Sequence, residues 1–196
     1  LPRLESLKTN GSLLITCLLL TACLLVTACS GPPTKSFVYT QVQGAYASGC
    51  MNEYQGIADA SRCDEYQLGP LVVEMMPRGS KKYHSDPELP PYKIPALVCT
   101  IERGQHYDFK KHFKVESIKV TTNSGKQFSS LNWGFISYNQ DCKYIAFTPR
   151  LAISVEQDPE FTVELTMSID APVTARKTMH YRFVGQSQWH IPFIGP

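Results

Sequence analysis

Phe161-Thr162-Val163-Glu164-Leu165-Thr166-Met167-Ser168-Ile169 alternates apolar and polar side chains without a break. A period of two puts the apolar residues on one face of a strand and the polar ones on the other; a helix would scatter them around its axis. One wet face and one dry face is the pattern of an antiparallel sheet that covers a core on one side. Asp158-Pro159 turns the chain just before this stretch and Ala171-Pro172 breaks it just after. Beyond the break, Met179, Tyr181 and Phe183 alternate with Thr178, His180 and Arg182, which predicts a last strand. Upstream, Leu151, Ile153 and Val155 alternate with Ala152, Ser154 and Glu156 in the same way.

The remaining segments read alike. Phe37 to Val42 alternates as a first strand, and Leu71 to Met76 is an apolar run ended by Pro77. Leu97, Cys99 and Ile101 share one face of another strand, which turns Cys99 inward. Val115 to Thr122 and Lys126 to Trp133 flank Asn123-Ser124-Gly125, a short loop ending in Gly that predicts a hairpin. The apolar face slips between Val115 and Ile118, so Glu116-Ser117 predicts a bulge. Tyr144 to Thr148 is a further strand. Gly44 to Gly69 is polar and Gly-punctuated; Asn52 to Ser61 is its one helical candidate, weakened by Gly56. About eight short strands and almost no helical pattern predict an all-β domain, an antiparallel β-sandwich resembling the immunoglobulin-like or transthyretin-like sandwiches. The order Cys99, Trp133, Cys142 departs from the antibody pattern, because Trp133 lies too close to the second Cys.

The N-terminus has a different character. Arg3 and Lys8 outweigh Glu5, and the sixteen residues from Leu13 to Ala28 carry no charge. A positive start, an apolar run and a small-residue end describe a secretory signal peptide. The run is shorter than the ~20 apolar residues of a spanning helix. Val26-Thr27-Ala28-Cys29 resembles the lipobox of bacterial lipoproteins. That resemblance implies diacylglycerol on the Cys29 thiol, cleavage before it, and acylation of the freed amine. By the enterobacterial sorting rule, Ser30 implies export to the outer membrane. Leu20-Thr21-Ala22-Cys23 also fits the pattern, but cleavage there leaves Leu24-Leu25-Val26 in the tether; an uncleaved anchor helix is the other alternative. Ser30 to Ser36 is Pro/Gly-rich and reads as a flexible spacer. The expected organisation is a signal peptide over 1–28, a lipidated tether over 29–36 and one sandwich domain over 37–196, with a Pro-rich loop at 78–95.

Seven cysteines become an even set once Cys17 and Cys23 leave with the leader and Cys29 carries lipid. Cys50, Cys63, Cys99 and Cys142 remain, in a chain sent to an oxidising compartment. Four cysteines allow three pairings; Cys50 and Cys63 flank one short loop, and Cys99 and Cys142 both adjoin strands, so 50–63 and 99–142 are expected. Free buried thiols are the alternative. Taking Arg3 and Lys8 from the 19 basic residues, and Glu5 from the 17 acidic ones, leaves the segment from Cys29 close to +1. That balance gives no electrostatic footprint for nucleic acid.

No motif names a reaction or a cofactor. His106 and His112 are six residues apart, roughly 20 Å along a strand and too far for one ion. His106 and Asp108 form the least implausible polar centre for an envelope enzyme or ligand carrier. Ser124-Gly125-Lys126 lacks the first Gly of a phosphate loop, and Gly185-Gln186-Ser187-Gln188-Trp189 lacks the last Gly of a nucleophile elbow. The remaining candidates are contact residues: Pro87, Pro90, Pro91 and Tyr92 in the Pro-rich loop, Trp133, and Trp189, His190 and Phe193 in an aromatic tail from Gly185. The expected function is therefore a non-enzymatic, lipid-anchored module on the periplasmic face of the outer membrane. Its partners would be other envelope proteins, as in a secretion, pilus or conjugation apparatus.

Overall fold

The alternating stretch is the spine of one sheet. Glu160–Ile169 is a ten-residue strand with antiparallel neighbours on both sides. The computed structural model describes residues 34–52, 56–81, 88–102, 104–129, 131–137 and 141–190. Contacts along the chain separate a body, 37–188, from a unit of the two ends, 1–36 and 189–196. Of that second unit only residues 34–36 and 189–190 are described, as the outermost residues of the first and last strands.

Within the described residues the strands, in chain order, begin with β1 (Thr34–Gln43), β2 (Met51–Asn52), β3 (Gly56–Ile57), β4 (Gln67–Leu68) and β5 (Leu71–Met75). Next come β6 (Arg78–Ser80), β7 (Leu89–Lys93), β8 (Ala96–Thr100) and, after a one-turn helix α1 (Phe109–His112), β9 (Phe113–Thr122). The series closes with β10 (Gln127–Phe128), β11 (Asn132–Ser137), β12 (Cys142–Thr148), β13 (Glu160–Ile169) and β14 (Ala175–His190). One five-stranded sheet runs β1-β14-β13-β9-β10 and the other β11-β12-β8-β5-β4. This is the antiparallel sandwich that the alternation predicts.

The inward faces share one core. Phe161, Val163, Leu165, Met167 and Ile169 are all buried, as are Met179, Tyr181 and Phe183 opposite them. Phe161 stacks on Phe183 at 4.9 Å, and Tyr39 stands edge-on to Phe161 at 4.8 Å. The Tyr181 hydroxyl donates to the Val73 carbonyl at 3.0 Å, tying one sheet to the other. The expected bulge is present: Ser117 pairs with Thr166 and Val115 with Met167, which leaves Glu116 as the extra residue. That residue returns Val115 and Ile118 to the same buried face.

β5 and β8 are buried along their whole length, so their sheet is covered on both faces where these two strands run. A strand covered twice has no need of alternation, which is why Leu71 to Met75 reads as a continuous run. Val73 and Met75 face the other sheet, and Val72 and Glu74 face away from it. The segment after β1 packs on that second face through Glu74. The Glu74 carboxylate accepts N–H bonds from Tyr46 and Met75, each at 2.5 Å, a bond from Ala45, and one from the Gln41 side-chain amide. Gly44 makes this possible. Its φ is +155°, and a Cβ there would stand 2.1 Å from the Gln41 amide carbon.

Both disulfides form with the expected partners, Cys50–Cys63 and Cys99–Cys142. Cys99 and Cys142 face one another across neighbouring strands of one sheet. The antibody disulfide instead joins two sheets. Asp158 is a second buried carboxylate. It accepts from Lys126 Nζ at 2.8 Å and from the Ser124 hydroxyl, and its backbone carbonyl accepts from the Tyr39 hydroxyl at 2.7 Å. Burial pushes this carboxyl up. The bonds from Lys126, Ser124, Thr122 and the Ser154 N–H outweigh that and hold it below the ordinary value.

Several expected boundaries change. Leu151, Ile153 and Val155 are buried, but only Leu151 makes a bridge, to Tyr92; residues 152–158 turn around Asp158 and form no strand. The second arm of the expected hairpin is cut short. Gln127–Phe128 pairs with β9, and the chain then crosses to the other sheet as β11. No helix forms over Asn52 to Ser61 among the described residues. Two short 3-10 turns at Ala60–Arg62 and Asp64–Tyr66 replace it, the first capped by the Asp59 side chain. The Pro-rich stretch is not all loop: β6 and β7 pair across it, Arg78 with Lys93 and Ser80 with Leu89. The register shifts between those two pairs, so Pro90 and Pro91 fall in an irregular part of the ribbon where the ladder does not call on their missing N–H groups. Gly185 to His190, expected as tail, continues β14.

Candidate functional site

Two of the four edges of the five-stranded sheets are short. β4 and β10 are two residues each. The other two edges of the five-stranded sheets are longer: β1, ten residues with Lys35, and β11, six residues, Asn132-Trp133-Gly134-Phe135-Ile136-Ser137, with no charge and no proline. Soluble proteins blunt such edges with lysine, proline or brevity, because unpaired N–H and C=O groups template another strand. β11 uses none of these.

Register with β12 assigns its faces. Trp133 pairs with Phe147 and Phe135 with Ile145; Phe147 and Ile145 are core residues, so Trp133 and Phe135 lie on the inner face at its rim. Gly134 and Ile136 lie on the outer face. Trp133 is 36% exposed and Ile136 55%. Nothing stands within 4 Å of where a Gly134 Cβ would be, so the outer face beside Ile136 is open.

The inner rim carries an aromatic file. Trp133 meets Phe135 at 5.5 Å between ring centroids; Phe135 meets Phe113 at 5.9 Å and Phe109 at 6.3 Å; Phe109 meets Tyr107 at 4.9 Å. The segment before β9 builds the far side of this file. Asp108 caps α1, its carboxylate accepting from the Lys111 N–H at 3.2 Å, and that turn sets Phe109 into the core. Tyr107 donates to the His112 carbonyl at 3.2 Å. Burial, with Asp170 and Asp108 nearby, pushes the Tyr107 hydroxyl up to about 12, so it stays a neutral donor. Between Phe135 and this segment lies a slot of about 430 Å³, with His106, Lys110 and Lys143 around the aromatic floor.

The sequence candidates fall in different places. Trp133 is at the edge just described. Pro90 and Pro91 are exposed on β7. Tyr92 is a correction: it is 1% exposed, edge-on to Tyr39 at 4.9 Å, with backbone bonds to Leu151, and so belongs to the core. Its apolar ring follows two prolines, which made it look like loop, but β7 turns it inward between exposed Pro91 and Lys93. Trp189 is exposed at the end of β14; His190 ends that strand, its side chain outside the described residues. Cys29, Pro87 and Phe193 lie outside the described residues. His106 and Asp108 share the slot, but the Asp108 carboxylate is turned to the Lys111 N–H. His180 is solvent-facing as expected, and His112 Nδ1 pairs with Asp170 at 2.7 Å.

Two residues escaped the sequence reading. Ile136 is out of phase with Trp133 and Phe135, and that alternation was the available signal of an outward apolar residue. Glu74 is a lone charge inside an apolar run, the signal of a buried carboxylate that needs donors.

No protein-family model matches the chain, and no curated protein matches it. A solved structure similar to it is a DUF4426 family protein from Pseudomonas aeruginosa PAO1, 16% identical, covering 65% of this chain and 93% of that one, with a TM-score of 0.34. A likeness that distant carries no argument about function.

Proposed function

We propose that the chain is an outer-membrane lipoprotein whose sandwich is an accessory or structural subunit of an envelope complex, such as a secretion, pilus or conjugation apparatus. The observation that carries the assembly reading is β11: a six-residue uncharged edge that exposes Trp133 and Ile136. An edge left open at that length marks a place where another chain adds a strand. The tether reading rests on the leader and on Val26-Thr27-Ala28-Cys29. Several acyl chains anchor a domain far better than one, since each buried CH₂ contributes about 0.8 kcal/mol.

Purification in mild detergent from the native cell tests the assembly reading. A stoichiometric complex is expected, and Ile136→Lys, which places a charge on the open edge, is expected to dissociate it while leaving the fold intact. A protein that runs as a monomer in both forms overturns the reading. The tether is tested by metabolic labelling with palmitate. Cys29→Ala is expected to lose the label and to accumulate unprocessed. A labelled, processed Cys29→Ala protein would assign the lipid elsewhere.

A further inference from the structure

We propose that the cleft between β1, β5 and the β6–β7 ribbon binds a single-chain amphiphile with an anionic head, its chain laid on methionine and aromatic side chains and its head held by Arg78 and Lys93. The site is separate from β11 and stands whether or not that edge meets a partner. The brevity of β4 makes room for it. β4 pairs with β5 only at Leu71 and Val72, so no ladder runs on along that side of β5 toward Met75. β1 closes part of the gap at Gln41, whose amide reaches Glu74, and a cleft of about 690 Å³ remains beside that contact. Met51, Met75, Met76 and Phe183 line it and are buried. Tyr46 lines it too, fixed at its N–H by Glu74 and at its hydroxyl by Met76 Sδ, 3.3 Å away. Cys50–Cys63 staples the same segment next to Met51. Methionine is unbranched and polarizable, so a lining of three adapts to a flexible alkyl chain.

The ribbon beside the cleft carries the charge. Arg78 lines the cleft and stands directly opposite Lys93 across β6 and β7, both exposed. Like charges at directly opposite positions repel. Neither makes an ion pair among the described residues. Glu88, the carboxylate next to the ribbon, is taken by Lys81 Nζ at 3.5 Å and by the Gly79 N–H at 2.9 Å. Arg150 adds to the positive side, its Nη1 donating to the Ser80 hydroxyl at 2.7 Å. An anion between Arg78 and Lys93 relieves their repulsion, and a guanidinium holds a carboxylate or phosphate through two N–H groups. A small anion alone leaves the apolar lining bare, and a neutral chain leaves the two cations unbridged. An alkyl chain ending in a carboxylate or phosphate answers both.

The test uses the full chain in phosphatidylcholine nanodiscs and two photoactivatable probes, dodecanoate with a diazirine on its chain and the same chain ending in trimethylammonium. Cross-links are located by peptide mass spectrometry. Dodecanoate is expected to label residues 46–52 and 75–78, and the cationic probe to label them about fivefold less. Arg78→Glu/Lys93→Glu is expected to reverse that preference. Ala47→Trp, which fills the cleft from an exposed position in its lining, is expected to abolish the labelling. Unlabelled dodecanoate and dodecyl phosphate serve as competitors, and whichever protects these residues identifies the head as carboxylate, phosphate or either. Equal labelling by the two probes, an unreversed preference, or labelling that persists in Ala47→Trp would overturn the inference. So would labelling that neither competitor reduces but that vesicles of anionic phospholipid do, which would put a bilayer surface against the ribbon in place of a single chain. Loss of the native complex in Ile136→Lys with labelling unchanged keeps the two sites apart; labelling lost with the complex would show that the cleft depends on the assembly and would refute its independence.

Discussion

Glu74→Ala is expected to lower the unfolding free energy by about 4 kcal/mol in urea denaturation at neutral pH. The carboxylate is fully buried and pairs with no cation among the described residues. Its charge is held by N–H groups of Ala45, Tyr46 and Met75 and by the Gln41 amide. Truncation removes their acceptor and leaves several buried donors unpaired, each at about 1–3 kcal/mol, less what entering water recovers. The same change releases the segment that follows β1 from its sheet, so hydrogen exchange should rise first over 45–52. The pH dependence has a definite sign. Burial pushes this carboxyl from 4.5 up to about 7, against the four donors that pull it down. Between those values the native protein holds a proton that the unfolded chain has released. This contribution is therefore complete below about 4.5, falls as pH rises, and is gone above about 7; its span is about 3 kcal/mol. Glu74→Gln, which cannot titrate, should lose that slope. Parallel stability profiles for the two proteins between pH 4.5 and 7 would refute it. Asp158 acts oppositely: its carboxyl is held low, so its contribution is present above the ordinary value and lost on acidification below it.

How much the sequence disclosed depended on whether a strand had one wet face. β13 and β14 have one, and their pairing and inward residues follow from alternation alone. The Glu116 bulge was legible for the same reason, as a slip in phase between Val115 and Ile118. Alternation misled at Leu151 to Val155. A chain wrapped around a buried Asp158 can also bury every second residue, and burial pattern does not distinguish a ladder from a turn that closes on a carboxylate. Proline misled at Tyr92. Its missing N–H argues against a regular strand, yet the β6–β7 ribbon shifts register between Arg78↔Lys93 and Ser80↔Leu89, and Pro90 and Pro91 fall in that irregular part.

The candidate site was legible in part. Trp133 was visible as a contact candidate, and the structure gives it a packing role as well: its ring packs on Phe135 while a third of it stays exposed. What sequence could not supply is that β11 leaves its hairpin partner and becomes an edge of the other sheet. That depends on where the chain crosses after Phe128, a long-range choice with no local signature. Lys143, Lys110 and Phe135 come together only because of that crossing.

The two disulfides should differ in kind as well as size. Closing a loop of 43 residues removes more denatured-state entropy than closing one of 13, about 4 against about 3 kcal/mol in the chain-entropy model. All four cysteines are buried, so loss of core contacts does not separate the pairs. What separates them is the element each one closes. Cys99–Cys142 links β8 to β12, and the chain between them contains β9 and β11, one strand from each sheet. Cys99→Ala/Cys142→Ala is therefore expected to lower global stability by about 4 kcal/mol, a melting shift of roughly 10 °C for a domain of this size. Every slowly exchanging amide should feel it. Cys50–Cys63 closes only the segment over the Glu74 face of the sheet, where β2 and β3 pair for two residues each. Cys50→Ala/Cys63→Ala should therefore free that segment at lower cost than it unfolds the sandwich, raising exchange over 45–66 while β13 and β14 keep most of their protection. Equal loss of protection in β13 for the two double variants would show that the segment and the sandwich unfold as one unit.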